Sequence, residues 1–399
     1  MNEALRILHV APTPFFSDRG CHIRIEGIVK GLGAKGVENL VCTYHHGRER
    51  PGVETRRIDP MDGYEDTQAG PNAHKYMADI KLFRLVCQCV RKHRPHIIHA
   101  HLHEGVLLGW AAKWALMKPR LPLVADLQGS LVGELDSYNY FEKSNSYRLI
   151  FKCIERSILR MPGHIFCSSV SGLALFQDEY KLSKERSTLL SDRVEKGVIS
   201  TNSSAQLRRE PAVVYSGSLL ESKGLSQLLQ SLERLLLRRA DVRVILIGYP
   251  TQDVAAHLQR KGLGDRCLLT GRIHYEDLPG HLAGADIGLD PKLPGAGEGS
   301  GKILNYMAAG LPVVAFDSAN NREFLGQGQY LVPDASIEDF VARIEYLIDH
   351  PQVRQQEGER NRQRVMHELT WDEGVDIVLA RYDKMLGHNR ANPVGTRSA

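Results

Sequence analysis

Hydrophobic and polar positions follow two alternating rhythms along this chain: short apolar runs, and longer stretches with apolar residues every three or four positions. The run Arg6–Ala11 (RILHVA) predicts a buried strand. Residues 22–34 then carry Ile25, Ile28, Val29 and Leu32 at i, i+3, i+4 and i+7, a helix face closed by Gly33 and Gly36. Further strands are predicted at 40–44, 96–100, 123–127, 165–168 and 188–191, with helices at 77–94, 105–117, 146–160 and 171–180. Such alternation calls for a mostly parallel sheet covered on both faces.

The rhythm lapses over residues 192–211, a polar stretch with a Ser/Thr/Asn run and no sustained period, which reads as a linker. It then resumes. Strands are predicted at 212–215, 242–247, 267–271, 286–290 and 312–316, and helices at 224–239, 253–261, 275–283, 301–309, 337–349 and 352–369. A last helix, Trp371–Leu386, carries Val375, Val378, Leu379, Tyr382 and Met385. The expected organisation is an N-terminal Rossmann-like domain (1–192), a linker (193–211) and a second Rossmann-like domain (212–370). The closing helix (371–386) and a frayed tail (387–399) complete it. The fold class is α/β, doubly wound twice.

Length and charge narrow what these sheets could serve. With 399 residues, the chain exceeds the roughly 100–200 residues of one ordinary domain. A formal charge of +4, with both signs interspersed, excludes a nucleic-acid backbone as the main partner. The seven cysteines form no CxxC pair and are expected to be reduced, buried thiols of a cytosolic protein. No stretch approaches the ~18 apolar residues of a membrane span, and no secretory apolar segment opens the chain. The expected location is cytoplasmic.

Ligands of open α/β sheets bind beyond the carboxyl ends of the strands, so five loops carry the candidate chemistry. The loop 12–21 places Gly20 and Cys21 at a helix start, where free N–H groups suit an anion, or it is an ordinary βα turn. The run HRPHIIHAHLHE (93–104) would set His99, His101 and His103 on one face of a strand. That face reads as a zinc seat, with Asp126 or Asp192 as later ligands, as polar site-lining histidines, or as plain structural ones. The run ADLQGSLVGE (125–134) brings Asp126, Gln128 and Ser130 to a strand mouth, to orient a hydroxyl or to cap a loop. In YSGSLLESKG (215–224), Lys223 at a helix start opposes the helix dipole, which makes sense if it faces a bound anion; the other reading is an exposed, idle lysine. Finally GAGEGSGKILNYMAA (295–309) is a Gly-rich loop flanked by Glu298 and Lys302. It fails as a P-loop, since Ala296 takes the first glycine position and Ile303 the hydroxyl position.

The fourth and fifth loops, with the continuation GSGKILNYMAAGLPVVA, resemble the donor-binding half of retaining GT-B glycosyltransferases of family 4, the group 1 type. In organisation the resemblance extends over essentially the whole chain. It implies two Rossmann-like domains facing across a cleft, the second holding a nucleotide-sugar, most often a UDP-sugar, and the first an acceptor. It implies Lys223 on the donor diphosphate and Gly20, with Cys21, near the same phosphate. It also places Gly217, Ser218, Gly299, Ser300, Gly301, Lys302 and Asn305 around the donor, and Glu298 near the sugar. No essential metal is implied. Three positions depart from the family pattern: Ser218 replaces an arginine, Asn305 a glutamate, and Gln128 a histidine. The last substitution turns attention to His101, His103 and Asp126 as groups near the reaction.

The resulting expectation is sugar transfer to a glycan, lipid-linked or small-molecule hydroxyl. The basic helix end Arg91–Lys92–His93–Arg94 is a candidate rest on an anionic membrane, or simply a solvated helix end. Still open at this point are a nucleotide-sugar epimerase or phosphorylase of the same fold, a histidine-based metal hydrolase, and a non-catalytic nucleotide-sugar-binding subunit.

Overall fold

A computed structural model describes residues 4–63, 73–137, 140–141, 145–198, 210–293, 299–328 and 330–387. Contacts divide the chain into two compact units. One comprises the described residues within Met1–Ser168, Leu175–Leu190 and Asp372–Ala399, the other those within Ser169–Ala174 and Ser191–Trp371. Most of the expected linker and nearly all of the expected tail lie outside the described residues.

In chain order the first half contains β1 (Arg6–Ala11), α1 (Gly20–Ala34), β2 (Glu38–Thr43), β3 (Thr55–Arg57), α2 (Ala73–His93), β4 (Ile97–His101) and α3 (Leu102–Ala115). It continues with β5 (Leu123–Leu127), α4 (Leu131–Ser137), α5 (Asn145–Ile158), β6 (His164–Cys167), α6 (Val170–Asp178) and β7 (Ser187–Leu189). The seven strands form a parallel sheet in the order β3-β2-β1-β4-β5-β6-β7. Strands β1, β4 and β5 are central, which is why they read as nearly unbroken apolar runs. Register sets His9 beside His99 and His101 beside Asp126.

The second half contains β8 (Ala212–Ser216), α7 (Leu225–Arg238), β9 (Arg243–Ile247), α8 (Gln252–Arg260), β10 (Cys267–Gly271), α9 (Leu278–Leu282) and β11 (Ile287–Asp290). There follow α10 (Lys302–Ala308), β12 (Val313–Phe316), α11 (Ala319–Leu325), β13 (Leu331–Val332), α12 (Ile337–Asp349), α13 (Pro351–Glu368) and α14 (Trp371–Leu386). Its sheet is parallel too, ordered β10-β9-β8-β11-β12-β13. Alternate residues of each strand feed opposite cores. Val213 and Tyr215 join Leu228, Leu232 and Phe340 on one face, while Val214 joins Ile303, Met307 and Phe324 on the other. In each sheet the strand order reverses beside the first strand of its series, between β1 and β4 and between β8 and β11. Ligands of open α/β sheets bind at such reversals, beyond the carboxyl ends of the strands, which points to the loops leaving those four strands.

The structure corrects several expectations. The strand through the histidines ends at His101, because Leu102 adopts φ +62 and starts α3. The polar run after β5 is partly helical, as α4. Lys223 lies not in a helix but in the short 3-10 turn Glu221–Lys223, ahead of a left-handed Gly224 that opens α7. Of the seven free cysteines, Cys21 and Cys267 are half-buried and Cys153 is exposed, so the expectation of uniformly buried thiols is wrong. Among the described residues, no helix is long and apolar enough to cross a membrane. The closing helix α14 belongs largely to the first unit, where Tyr382 reaches His99.

Candidate functional site

In the first unit the switch point holds a column of buried imidazoles. His9, His99 and His101 stack with ring centroids 4.7–5.4 Å apart. Asn39 spends its amide protons on the Val29 and Val37 carbonyls, which leaves its Oδ1 facing His9 Nε2 at 3.1 Å. His9 therefore donates from Nε2 and accepts at Nδ1 from His101 Nε2, at 3.1 Å. His101 Nδ1 in turn donates to Asp126 at 3.1 Å. Arg24 closes the chain, its Nε 3.0 Å from both carboxylate oxygens of Asp126 and Nη2 2.6 Å from one. His9, His99, His101, Asp126 and Arg24 are all buried, and Asn39 is half-buried. Burial disfavours the Asp126 charge, but Arg24 and His101 outweigh it and hold the carboxyl well below its usual range. His99 donates to or accepts from Tyr382 OH at 2.6 Å through Nδ1, and its Nε2 has no partner among the described residues.

His99, His101 and Asp126 could bring three ligand atoms within 4.8 Å of one another. They do not fit a divalent cation as they stand, because both Asp126 oxygens face the Arg24 guanidinium. His103, expected on the same face, is turned away by the helix start. Its Nε2 lies 3.2 Å from Glu155, a carboxylate that also accepts from Ser130 Oγ, Tyr180 OH and the Leu131 N–H. Ser130 is thus structural.

This column makes stability pH-dependent. Burial, reinforced by the neighbouring His101 charge, lowers His9 from 6.5 to about 3, and burial also holds His99 well below 6.5. Both stay neutral in the native state, while the unfolded chain protonates them below about pH 6.5. The unfolded state then binds more protons, so stability falls as pH drops from about 6.5 toward 3. Each histidine contributes a slope of up to about 1.4 kcal/mol per pH unit. Asp126 adds a loss only below about pH 4. Urea unfolding followed by Trp110 and Trp114 should give a midpoint constant above pH 7 and falling by pH 5. A flat profile would contradict the burial of His9 and His99 as neutral rings.

Around it, Gly20 starts α1 with open space where a Cβ would sit. Burial pushes the Cys21 thiol up to about 11, so it stays protonated. The preceding loop is pinned by His22, 2.5 Å from Thr13 Oγ1 and accepting from the Ser17 N–H at 2.9 Å. Gln128 stands at the mouth of β5 with its Nε2 unpartnered among the described residues.

In the second unit the loops after β8 and β11 meet. Gly217 leaves β8 at φ +135 and donates to the Ile247 carbonyl at 2.9 Å. A Cβ there would lie 3.3 Å from Lys302 Cε, so glycine leaves room for that side chain. Ser218 is held through its carbonyl by Tyr215 OH at 2.9 Å. Lys302, the first residue of α10, lies 3.2 Å from Asp290 and 4.2 Å from the centre of the Tyr215 ring. Burial opposes its charge, yet Tyr215 and Asp290 hold the ammonium above the ordinary lysine range. The pair is electrostatic rather than a directed hydrogen bond. Lys302 Nζ, both Asp290 oxygens and Ser300 Oγ are buried and lack hydrogen-bond partners among the described residues.

Asn305 accepts from Tyr275 OH at 3.0 Å, and Gly299, Ser300 and Gly301 lead directly into α10. Glu298 lies outside the described residues. Lys223 is half-buried in the turn before α7.

Sequence reading missed Tyr215, Asp290 and Tyr306. Tyr306 OH accepts from the Ser216 N–H at 2.6 Å and donates to the Leu289 carbonyl at 3.3 Å, tying β8 to β11. An acidic residue closing the apolar run Ile287–Asp290 was the available signal for the second.

The pattern described as "Glycosyl transferase 4-like domain" matches residues 19–191, and "Glycosyl transferases group 1" matches residues 210–350. The chain is 24% identical over 365 residues to an alpha-D-kanosaminyltransferase of Streptomyces kanamyceticus, covering 85% of this chain and 92% of that protein. The first three curated relatives match over less than half of their own length. Among solved structures, sucrose-phosphate synthase of Thermosynechococcus elongatus superposes with a TM-score of 0.79 at 17% identity, over 96% of this chain and 99% of that one. Anabaena HepE in complex with UDP-glucose gives 0.73 at 17%, over 95% and 100%. At such identities the structural matches speak for the fold alone.

Proposed function

This chain belongs to the group 1 glycosyltransferases of GT-B fold, and from that premise we propose that it transfers a sugar from a UDP-sugar to an acceptor hydroxyl. The acceptor is a glycan, a lipid-linked sugar or a small molecule. The hydroxyl attacks the anomeric carbon as the C1–O bond to the diphosphate breaks, and the anomeric configuration is retained. The observation that carries the reading is Lys302: a buried ammonium that faces Asp290 and the Tyr215 ring but has no hydrogen-bond partner among the described residues, beside an unpartnered Ser300 hydroxyl and the bare backbone of Gly217. Unsatisfied buried polar groups are costly, so such a cluster is built to receive an anion.

A nucleoside diphosphate suits it. Lys302 and Lys223 supply fixed positive charge, and the Gly299–Gly301 backbone permits close approach. Electrostatic stabilisation of the departing diphosphate then needs no divalent cation. HepE, of the same fold, is described in complex with UDP-glucose; one relative is a GDP-mannose-dependent mannosyltransferase, so the base is the less constrained part.

Product analysis by NMR tests the reading. Incubation with the UDP-sugar and an acceptor in EDTA should release UDP with formation of one glycoside per UDP, its anomeric configuration that of the donor. Free sugar, sugar 1-phosphate or an epimerised nucleotide-sugar as the main product would overturn it.

A further inference from the structure

Two thiols of the first unit meet near the edge of its sheet, and neither belongs to the strand-end cluster. β2 pairs with the edge strand β3 so that Cys42 stands in register with Arg56, and both side chains leave the same face of the sheet. On α2, Ala78, Leu82, Val86 and Cys89 recur at i, i+4, i+8 and i+11, and all four are buried. Cys89 lies at the middle of this stripe, and its sulfur shares a hydrogen bond with the Cys42 thiol across the β2–α2 contact. Cys87, two positions earlier on the helix, is turned off the stripe.

The two thiols of the pair are unequal. Cys42 is fully buried, whereas Cys89 is 8% exposed. The hydrogen bond from Cys42 lowers the Cys89 thiol below its ordinary value, and the Arg56 and Lys92 charges act in the same direction against burial and Glu54. The same hydrogen bond, with burial, pushes Cys42 well above it. Cys87 matches Cys89 in exposure, but burial pushes its thiol up. Cys89 therefore has the thiolate character of an attacking sulfur, with a protonated thiol held against it.

We propose that Cys42 and Cys89 are a redox-active dithiol that a peroxide converts to a disulfide, stapling β2 to α2. The Cys89 thiolate attacks one peroxide oxygen; the O–O bond breaks, hydroxide leaves and takes up a proton, and Cys89 becomes a sulfenic acid. The Cys42 sulfur then attacks the Cys89 sulfur and gives up its proton as the S–O bond breaks and water leaves. In sum two thiols lose two electrons to the peroxide, which ends as two waters. A small-molecule dithiol reverses the bond by exchange. The inference is independent of the sugar-transfer reading.

The test uses the full, reduced chain. After treatment with hydrogen peroxide, peptide mapping by mass spectrometry should find Cys42 linked to Cys89 with two hydrogens lost, and dithiothreitol should restore both thiols. Before oxidation, iodoacetamide should label Cys89 at least about fivefold faster than Cys87. With dimedone present, Cys42→Ser should carry a sulfenic acid adduct at Cys89, and Cys89→Ser should carry none at Cys42. The disulfide closes a loop in the unfolded chain, so oxidation should raise the melting temperature read from Trp110 and Trp114 by roughly 5–10 °C in the wild type and not in Cys89→Ser. Wild-type Cys42 and Cys89 that stay unlinked while the exposed Cys153 is oxidised would overturn the proposal without recourse to any variant. So would a sulfenic acid on Cys42, or an oxidised chain that melts no higher than the reduced one.

Discussion

Replacing Lys302 by methionine in an Asp290→Asn background should lower kcat/KM for sugar transfer by roughly 10²- to 10³-fold relative to Asp290→Asn alone. The size follows from where the charge sits. The Lys302 side chain is only 13% exposed and Asp290 is fully buried, so an anion held there meets the ammonium with little water to screen it. Removing one preorganised donor from such a site costs about 3–4 kcal/mol of transition-state stabilisation. The paired background is needed because Lys302→Met alone would strand the Asp290 carboxylate, a defect of several kcal/mol with no bearing on chemistry. With both charges gone, Met is accommodated beside the Tyr215 ring, and the Asp290→Asn protein is the reference for folding. Steady-state kinetics and circular dichroism decide it. Equal kcat/KM in the two variants would remove Lys302 from the donor site.

In the first unit, Arg24→Met should destabilise by about 3–5 kcal/mol. Arg24 and Asp126 are both buried, and the guanidinium fork grips the carboxylate through Nε and Nη2. Without Arg24, Asp126 would retain His101 as its side-chain partner, and the imidazole column would lose its anchor to α1. The Arg24→Met/Asp126→Asn double variant should recover roughly 2–3 kcal/mol of that loss, as expected for directly coupled neighbours. Urea unfolding monitored by fluorescence reports on this unit, since Trp110 and Trp114 lie in it and are partly exposed while Trp371 is buried. A loss below about 1 kcal/mol would mean that the pair is solvated.

The central strands of both sheets were legible because burial on both faces demands short, largely apolar runs such as RILHVA and LVADL, each broken by a single inward polar residue, His9 or Asp126. Strands β3 and β13 were not, since TRR and LV are too short to carry a period. The loop glycines and Lys302 announced a phosphate-compatible turn through composition alone. What surrounds Lys302 was hidden, because Tyr215, Asp290 and Tyr306 come from three separate segments, brought together by the β8–β11 pairing and by the Tyr306 hydroxyl. Likewise Arg24 looked like an ordinary polar position of α1. Its partner lies 102 residues away, and only the sheet order brings β5 to it. The histidine run misled for a local reason: a strand period assigns His103 to the face of His99 and His101, but the backbone turns at Leu102.

The most direct test of the central claim, a nucleotide-sugar held by the second unit, is a thermal-shift screen in EDTA. UDP-, GDP-, ADP- and dTDP-sugars would be compared on the wild-type chain and on Lys223→Ala. At 100 times its dissociation constant a bound donor stabilises by about 2.7 kcal/mol, a readily measured rise in melting temperature. The account predicts that the UDP-sugar raises it without added metal and that Lys223→Ala loses most of the response. No stabilisation by any of the four, or an equal response from the variant, would contradict it.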